Sequence, residues 1–555
     1  MSASSKKKLR KEQNAAALTE KQLQQQKEAK KLKGQTITFV VIVALVLALG
    51  LGSLAVTAYK NSGIIERNTT ALTIGEHKLS AAELSYFYFD TITSQYNEWY
   101  NTYGENTAAY LALIEGLDVN KPLDEQIYDK NTQVTFAQFF VDSAIQRAIN
   151  AYTMYDLAVA DGNINKEYID FVVDATIAEM VSSSKSEGYS NLTRFLKANY
   201  GNGASEKSFR KYVEVQNVAD VFNQETYESL TYTAEDLDTY NNEHIGEFYS
   251  YTYASLYVSV NDHLICDADE NDSGHEHTQK ERDLALLEAE KTVSALENAN
   301  ISTVEEFNAF IKTLDVYKDM DNAFCTENKD VLYSNIQVEE IAKWLADSSR
   351  KPGDFKVFPK TNETTNEQGQ TVSVPYGFDA ILYQGQNKND TKLVNVRHIL
   401  KQFTNPTTDP EGNTVYTDAE QRKEEITKLM NDWVNGGKGE EAFGTLASSN
   451  TDDTGSLFNG GLYENIYPGQ MVSAFNDWCF DEARQPGDYE IIETEYGYHL
   501  MYFSGHSDVT FRDFMIENTL RNQDYKEWQQ EQIDNAKYTV NDTSKLKTNI
   551  IINAN

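Results

Sequence analysis

The fold of this chain is decided by two short stretches, VRHIL at residues 396–400 and TEYGYHLMY at residues 494–502. Each contains a run of apolar, β-branched or aromatic residues with a single histidine embedded in it, which is the pattern of a buried strand. Strands of one small domain often pair with each other. The imidazoles of His398 and His499 can therefore face each other inside one sheet.

Three short motifs lie between these two stretches. They are Gly460-Gly461, PGQMV followed by Phe475, and QPGD at residues 485–488. In this order, from VRHIL through GG, PGQMV and PGD to TEYGYH, the motifs resemble the parvulin family of peptidyl-prolyl isomerases. The resemblance implies an antiparallel sheet with helices over residues 391–506, and an enzyme that rotates the peptide bond before proline.

The implied reaction breaks no covalent bond. Its barrier is rotation about a partial double bond, about 18–20 kcal/mol, so a catalyst must bind the twisted amide more tightly than either planar form. This requires an apolar slot for the pyrrolidine ring, a dry environment and donors that suit the twisted amide. It requires no cofactor and no metal ion.

The resemblance assigns four candidate catalytic residues. His398 and His499 match the family's paired histidines, and Thr494 matches its site threonine. Asp453 lies seven residues before Gly460, where the family carries a cysteine or an aspartate beside the substrate amide. The resemblance implies that the histidines and Thr494 form a hydrogen-bonded network that shapes and polarises the pocket without transferring protons. The open alternatives are core histidines and, for Asp453, an ordinary turn residue.

Three apolar residues form the predicted slot for the proline ring. Met471 and Phe475 are four residues apart at the start of a helix, so they share one face, and Leu462 completes the slot. A plain core role for Met471 and Phe475 is the open alternative. The sequence departs from the family here, because LYENIY at residues 462–467 is one residue longer than the family's segment between GG and PGQMV. The loop that flanks the slot is therefore altered.

An internal repeat predicts a second domain of the same kind. WLADSSRKPGDF at residues 344–355 matches WCFDEARQPGDY at residues 478–489, at an offset of 134 residues. Six of the first eleven positions are identical, which is hard to obtain by chance. We interpret residues 240–390 as a degenerate parvulin-like domain. Ser255 and Asp379 occupy its two histidine positions, so it is predicted to be inactive.

Residues 60–239 carry mainly helical periodicity. A short strand and turn at residues 71–80 lead into a helix, for which Ser80 and Glu83 form a capping box. This entry into a helical domain resembles the chaperone domain of the extracytoplasmic foldases SurA and PrsA. The resemblance implies that a C-terminal helix within residues 507–555 packs on that domain and completes it.

The start of the chain predicts a membrane anchor. Residues 1–35 are basic and form a predicted cytoplasmic tail, and residues 36–59 form a predicted transmembrane helix, since about 23 consecutive residues carry no charge. The positive-inside rule then places the bulk of a single-pass chain outside the cell membrane. A cleaved signal peptide is the alternative.

The predicted fold class is therefore α+β. It comprises an N-terminal transmembrane helix, a helical chaperone-like domain completed by a C-terminal helix, and two parvulin-like domains of antiparallel sheet plus helices.

Composition limits the partners. The net charge of −36 at pH 7 argues against nucleic acid, whose binding needs clusters of Lys and Arg. The loop after Leu400 contains Lys401 but no basic cluster, which disfavours phosphoserine-proline substrates.

Three scattered cysteines form no disulfide framework. The loop from Cys266 to His277 mixes Cys, His and acidic residues, so metal binding there competes with a plain solvated hairpin loop.

Together these features predict a membrane-anchored extracytoplasmic peptidyl-prolyl cis-trans isomerase and chaperone. The predicted partners are unfolded or newly translocated polypeptides that contain X-Pro bonds. The rival interpretation is a non-catalytic holdase or interaction protein in which both parvulin-like domains are relics.

Overall fold

The computed structural model describes residues 4–11, 57–264, 277–365, 370–410 and 412–552. Three predicted features lie wholly or largely outside the described residues. These are the basic tail, the uncharged apolar segment that starts at Thr36, and the acidic loop that starts at Cys266.

The elements from residue 64 onwards are numbered in chain order. The α-helices are α1 Ile64–Asn68, α2 Ala81–Tyr103, α3 Thr107–Tyr110, α4 Phe136–Asp161, α5 Lys166–Ser186, α6 Leu192–Tyr200, α7 Glu206–Ser229, α8 Ala234–Glu243, α9 Gln279–Asn298, α10 Val304–Ile311, α11 Glu339–Ala346, α12 Ala419–Asn435, α13 Glu440–Asn450, α14 Ser473–Cys479 and α15 Phe511–Asp534. The strands are β1 Thr70–Ile74, β2 His77–Ser80, β3 Ile127–Asp129, β4 Val134–Thr135, β5 Ser250–Ser259, β6 Thr326–Leu332, β7 Phe355–Thr365, β8 Thr371–Asn387, β9 Lys392–Gln402, β10 Pro406–Thr408, β11 Thr414–Tyr416, β12 Leu462–Ile466, β13 Tyr489–Thr494, β14 Gly497–Thr510 and β15 Tyr538–Val540.

One compact unit, mainly helical, comprises residues 1–230 and 524–555. Helices α2, α4 and α7 contribute to its largest core, in which Tyr88 and Phe140 are completely buried. Ala144 of α4 is also completely buried, and so small a side chain allows neighbouring elements to approach closely. Aromatic bulk and small alanines together fill this core.

The predicted capping box starts α2. The Ser80 hydroxyl accepts a hydrogen bond from the Glu83 amide at 3.3 Å, and the Glu83 carboxylate accepts one from the Ser80 amide at 2.8 Å. These bonds satisfy amides that have no partner within the helix, which defines where the helix begins. The preceding hairpin β1–β2 gains a third strand, β15, with Leu72 opposite Val540. A strand near residue 540 thus pairs with the first strand of this unit. The predicted domain boundaries stay predictions.

The second compact unit, residues 231–523, contains two antiparallel four-stranded sheets. The strand order is β6-β5-β8-β7 in the first sheet and β12-β9-β14-β13 in the second. VRHIL lies in β9, and TEYGYHLMY runs from the end of β13 into β14. The two stretches therefore pair directly, as their sequences predict.

The two sheets have equivalent registers. In the second sheet His499 lies opposite Leu400, and in the first sheet Asp379 lies opposite Tyr257. Asp379 therefore occupies the structural position of His499, as the repeat predicts. The counterpart of Thr494, 134 residues earlier, is Lys360.

The repeated Trp and Arg have a structural role in both copies. The guanidinium of Arg484 lies 4.1 Å from the ring centre of Trp478, and that of Arg350 lies 5.0 Å from the ring centre of Trp344. Such cation–π contacts stabilise a side-chain pair by about 0.5–2 kcal/mol. The Trp and Arg identities that reveal the repeat thus correspond to the same cation–π contact in both copies.

The second sheet separates two apolar cores. On one face, Ile399 and Leu500 pack with side chains of α12 and α13. On the other face, Met501 packs with side chains of α14. Because side chains alternate along a strand, His398 and His499 share the face that α14 covers.

The predicted transmembrane helix requires a correction. Among the residues that the structure describes, no helix is long and apolar enough to cross a membrane. The structure therefore does not support the transmembrane helix of the predicted fold class or the single-pass membrane location.

Candidate active site

Strand pairing brings the two histidines together at the centre of the second sheet. Met501 lies opposite His398, and Leu400 lies opposite His499, so the two histidines are diagonal neighbours on one face. Their Nδ1 atoms are 3.1 Å apart, and their ring planes differ by 19°. Only 3% of His398 and 5% of His499 is exposed. The pair is therefore a buried, directly hydrogen-bonded unit.

Asp453 and Thr494 extend this pair at both ends. His398 Nε2 lies 2.9 Å from Asp453 Oδ2, and His499 Nε2 lies 2.9 Å from Thr494 Oγ1. Asp453 follows the end of α13, and Thr494 is the last residue of β13. The four candidate catalytic residues thus form one continuous chain of side-chain contacts.

One arrangement of protons satisfies every contact when both imidazoles are neutral. His398 donates from Nε2 to the Asp453 carboxylate, His499 donates from Nδ1 to His398 Nδ1, and the Thr494 hydroxyl donates to His499 Nε2. Each imidazole then donates once and accepts once. The chain of donors points from Thr494 towards the carboxylate.

The electrostatics of the site favour this arrangement. The hydrogen bond from His398 holds the pKa of Asp453 well below its usual range, with a further contribution from Ser456. Burial, with a smaller effect of His398, lowers the pKa of His499 to about 3. Asp453 is therefore ionised and His499 is neutral near pH 7.

Two further residues hold Asp453, and sequence reasoning missed both. The hydroxyl of Ser456, which is completely buried, donates to Asp453 Oδ2 and lies 3.3 Å from His398 Nε2. The Tyr463 hydroxyl donates to the same carboxylate oxygen at 3.1 Å, and its ring centre lies 5.1 Å from that of His398. Burial, and then the charge of Asp453, raises the pKa of Tyr463 to about 12. The available signals were a serine three residues after Asp453 and a tyrosine near the start of a strand.

The predicted slot residues do not all reach the site. The Phe475 ring lies 5.5 Å from the His398 ring and 5.6 Å from the His499 ring, at angles of 79° and 89°. Met471 is partly buried against the same core. Leu462, however, lies opposite Arg397 and so points to the other face of the sheet. Its neighbour Tyr463 takes the place on the histidine face.

A groove opens beside the Thr494 end of the network. Its volume is about 740 Å³, and Thr494 lines it together with Val472 and Ser473 at the start of α14. Strand β11, Phe403 and the acidic Glu493 and Glu495 form other parts of its walls. The buried network therefore reaches a space large enough for a peptide side chain.

The first sheet lacks this chemistry at the equivalent positions. Lys360 Nζ lies 3.3 Å from Asp379 Oδ2, where the second sheet has its threonine–histidine contact. Ser255, at the position of the first histidine, accepts a hydrogen bond from Asn328 at 3.0 Å. The predicted inactivity of this copy stays a prediction.

The buried histidine pair in an antiparallel four-stranded sheet, bounded by Asp453 and Thr494, is the arrangement that the resemblance to the parvulin class of peptidyl-prolyl isomerases implied. The family model described as the PPIC-type PPIASE domain matches residues 381–506. This part of the chain belongs to that family and is a peptidyl-prolyl isomerase domain of the parvulin type. The resemblance inferred from VRHIL, GG, PGQMV, PGD and TEYGYH is thereby confirmed.

Several solved structures are similar to parts of the chain. TbPIN1 is 26% identical over 20% of this chain and 98% of its own, with a TM-score of 0.17. PrsA from Bacillus anthracis is 18% identical over 26% of this chain and 60% of its own, with a TM-score of 0.17. PrsA from Bacillus subtilis is 11% identical over 76% of this chain and 96% of its own, with a TM-score of 0.26. TM-scores this low carry no argument about the whole molecule. The comparison with curated proteins found no match.

Proposed function

We propose that this chain is a foldase that isomerises X-Pro bonds in unfolded polypeptides, with residues 381–506 as its catalytic part. The observation that carries the proposal is the continuous hydrogen-bonded chain from Asp453 through His398 and His499 to Thr494. Such a buried network is costly unless every member is satisfied. Here all four members are satisfied, so the network forms a rigid polar floor beneath the face that would receive the amide.

The proposed mechanism is differential binding of the twisted amide. Twisting removes the partial double bond, so the amide nitrogen loses its delocalisation and the planar preference disappears. We propose that the pyrrolidine ring rests beside Met471 above Phe475, which excludes water from the rotating bond. His398, His499 and Thr494 act as positioning residues that keep the floor polarised and in place. Asp453, which accepts bonds from three side chains, anchors the network.

An isomerisation assay with the full chain tests this mechanism. We expect His499→Gln to lower kcat/KM for an Ala-Pro peptide by roughly 10-fold or more, about 1.4 kcal/mol in the barrier. His506→Gln is the matched control, because His506 lies further along β14 and is exposed. We expect that control to retain full activity. An unaltered chain that does not accelerate isomerisation, in a folded preparation, would refute the proposed activity.

A purely client-holding function is the second candidate, and one observation favours it. The first sheet keeps the fold and the Trp–Arg contact although Lys360 and Asp379 replace the threonine and histidine of the network. The fold can therefore persist without the catalytic chemistry. Refolding of a proline-limited client separates the two candidates. If His499→Gln abolishes peptide isomerisation but leaves client refolding unchanged, the holding function is the relevant one.

A further inference from the structure

An aromatic side chain stands exposed at the edge of the candidate site. Phe458 lies in a short 3-10 turn, Leu457–Asn459, between Asp453 and the strand β12. Its side chain is 95% exposed, more than any other large hydrophobic residue among those that the structure describes. An exposed phenylalanine is unfavourable in water, by about 1.5–3 kcal/mol relative to its burial. Because Phe458 lies close to the network, it is a candidate for contact with a bound polypeptide.

The backbone around Phe458 is held at several points. Arg397 Nη1 donates to the carbonyl of Asn459 at 2.9 Å and to that of Gly460 at 3.0 Å. The Gly461 amide donates to the Ser456 carbonyl at 2.8 Å. The Asn459 side chain also bonds to both backbone groups of the first residue of β12. The turn is therefore a fixed platform, and its aromatic side chain is presented from a defined position.

Chain geometry places this platform at the rim of the network. Ser456 Oγ is 3.3 Å from His398 Nε2, and Phe458 follows Ser456 by two residues. Two residues span at most about 7 Å between Cα atoms. Ser456 is completely buried, with its hydroxyl on the network, whereas Phe458 is 95% exposed, so Ser456 points inward and Phe458 points out into solvent. Phe458 is therefore a solvent-facing ring two residues from a side chain that contacts the network.

We propose that Phe458 is a specificity-determining residue that contacts an apolar side chain of the polypeptide next to the X-Pro bond. This inference rests on the proposed isomerase function and adds a preference for apolar flanking residues. Contact between the two side chains removes apolar surface from water on both. Unfolded polypeptides expose such side chains, whereas folded proteins bury most of them.

The first copy presents a similar feature. Glu327 occupies the register position of the first residue of β12, and Phe324, three residues earlier, is 48% exposed. Phe324 is thus one position from the place of Phe458 at the same corner of the sheet. Lys312 Nζ lies 4.3 Å from the centre of its ring. Since this copy lacks the histidine pair, Phe324 provides a matched control.

The test compares full-length variants on two Ala-Pro peptides, one flanked by Leu and one flanked by Glu. We expect Phe458→Ala to raise KM for the Leu-flanked peptide roughly 3- to 10-fold, with kcat nearly unchanged, because a contact made equally in ground and transition states changes KM alone. The Glu-flanked peptide should show no change. Phe458→Leu should retain most of the preference, and Phe324→Ala should behave like the unaltered chain.

Two outcomes overturn the inference. Unchanged KM values in Phe458→Ala refute the contact. An equal loss with both peptides, carried by kcat, indicates a structural effect on the network and also refutes it. If the unaltered chain isomerises neither peptide, the proposed function itself fails, and that result is distinct from the first two.

Discussion

At the scale of single residues, the site depends on how burial sets protonation. His398 and His499 lie almost entirely out of water, and Asp453 compensates by accepting the His398 hydrogen bond. A buried imidazole is stable as a neutral group if both nitrogens have partners. The network supplies these partners to both imidazoles.

His499 couples the stability of this sheet to pH. Its pKa is lowered to about 3 in the folded chain, whereas an unfolded histidine titrates near about 6.5. Below about pH 6.5 the unfolded chain binds a proton that the folded imidazole does not accept, so the free energy of unfolding falls as pH drops from about 6.5 towards 3. Asp453, with its lowered pKa, adds a further loss below about pH 4.

Urea unfolding measured from about pH 7 down to about pH 4 checks this expectation. His499→Gln should weaken the dependence of the free energy of unfolding on pH, because the titrating group is removed. His506→Gln, on the exposed part of β14, should keep the dependence of the unaltered chain. Equal pH dependence in the two variants would contradict the assignment.

At the scale of elements, the start of β12 determines which side chains meet the network. Leu462 and Tyr463 are adjacent, so a shift of one residue exchanges the faces to which they point. The predicted slot placed Leu462 towards the proline ring, but Leu462 lies opposite Arg397 on the other face. Local sequence carries little information about register, because both residues are suitable for a strand. Only pairing with β9 decides it.

Gly461, which follows the turn Leu457–Asn459 and precedes β12, lies very close to β9. Its φ of +74° favours glycine, and a Cβ atom there would lie 2.2 Å from the His398 carbonyl oxygen. We expect Gly461→Ala to destabilise the domain by roughly 3 kcal/mol or more, through backbone strain and the displacement of β12. Thermal unfolding measures the effect.

Gly469→Ala is the matched control for this prediction. Gly469 also has a positive φ, +84°, but a Cβ atom there would meet nothing within 4 Å. The expected loss is only the backbone strain, about 1–2 kcal/mol. If both variants lose the same stability, the close approach to His398 is not the reason for the glycine.

At the scale of the whole molecule, the end of the chain stabilises the unit formed by its beginning. Leu546 is 7% exposed and belongs to the core that α2 and α4 form. We expect Leu546→Ala to destabilise the helical unit by about 2–5 kcal/mol, since it leaves a cavity in a packed core. Ile551→Ala is the control, because Ile551 is 44% exposed and its truncation should cost under about 0.5 kcal/mol. Equal unfolding temperatures for the two variants would contradict this role.

The repeat predicts more than the two histidine positions of the first copy. The offset of 134 residues identifies Lys360 as the counterpart of Thr494, and this signal was present in the sequence. The ion pair between Lys360 and Asp379 could not be predicted from the sequence, because it requires β7 and β8 to be neighbours. The same limit applies to Ser456 and Tyr463, whose contacts with Asp453 depend on how one turn closes over the sheet.

The sequence by itself predicted the two histidine-bearing strands and, through the order of VRHIL, GG, PGQMV, PGD and TEYGYH, the parvulin family, and the histidine network is what that resemblance implied. The strands follow from residue types and their order, which local alternation and turn residues express directly. The tertiary structure decided that Tyr463 and not Leu462 faces the histidines, and that Ser456 joins Asp453. It also decided that Phe458 stands exposed at the rim. These outcomes depend on strand register and on contacts between distant segments, such as His398 with Asp453 across 55 residues, which no local pattern encodes.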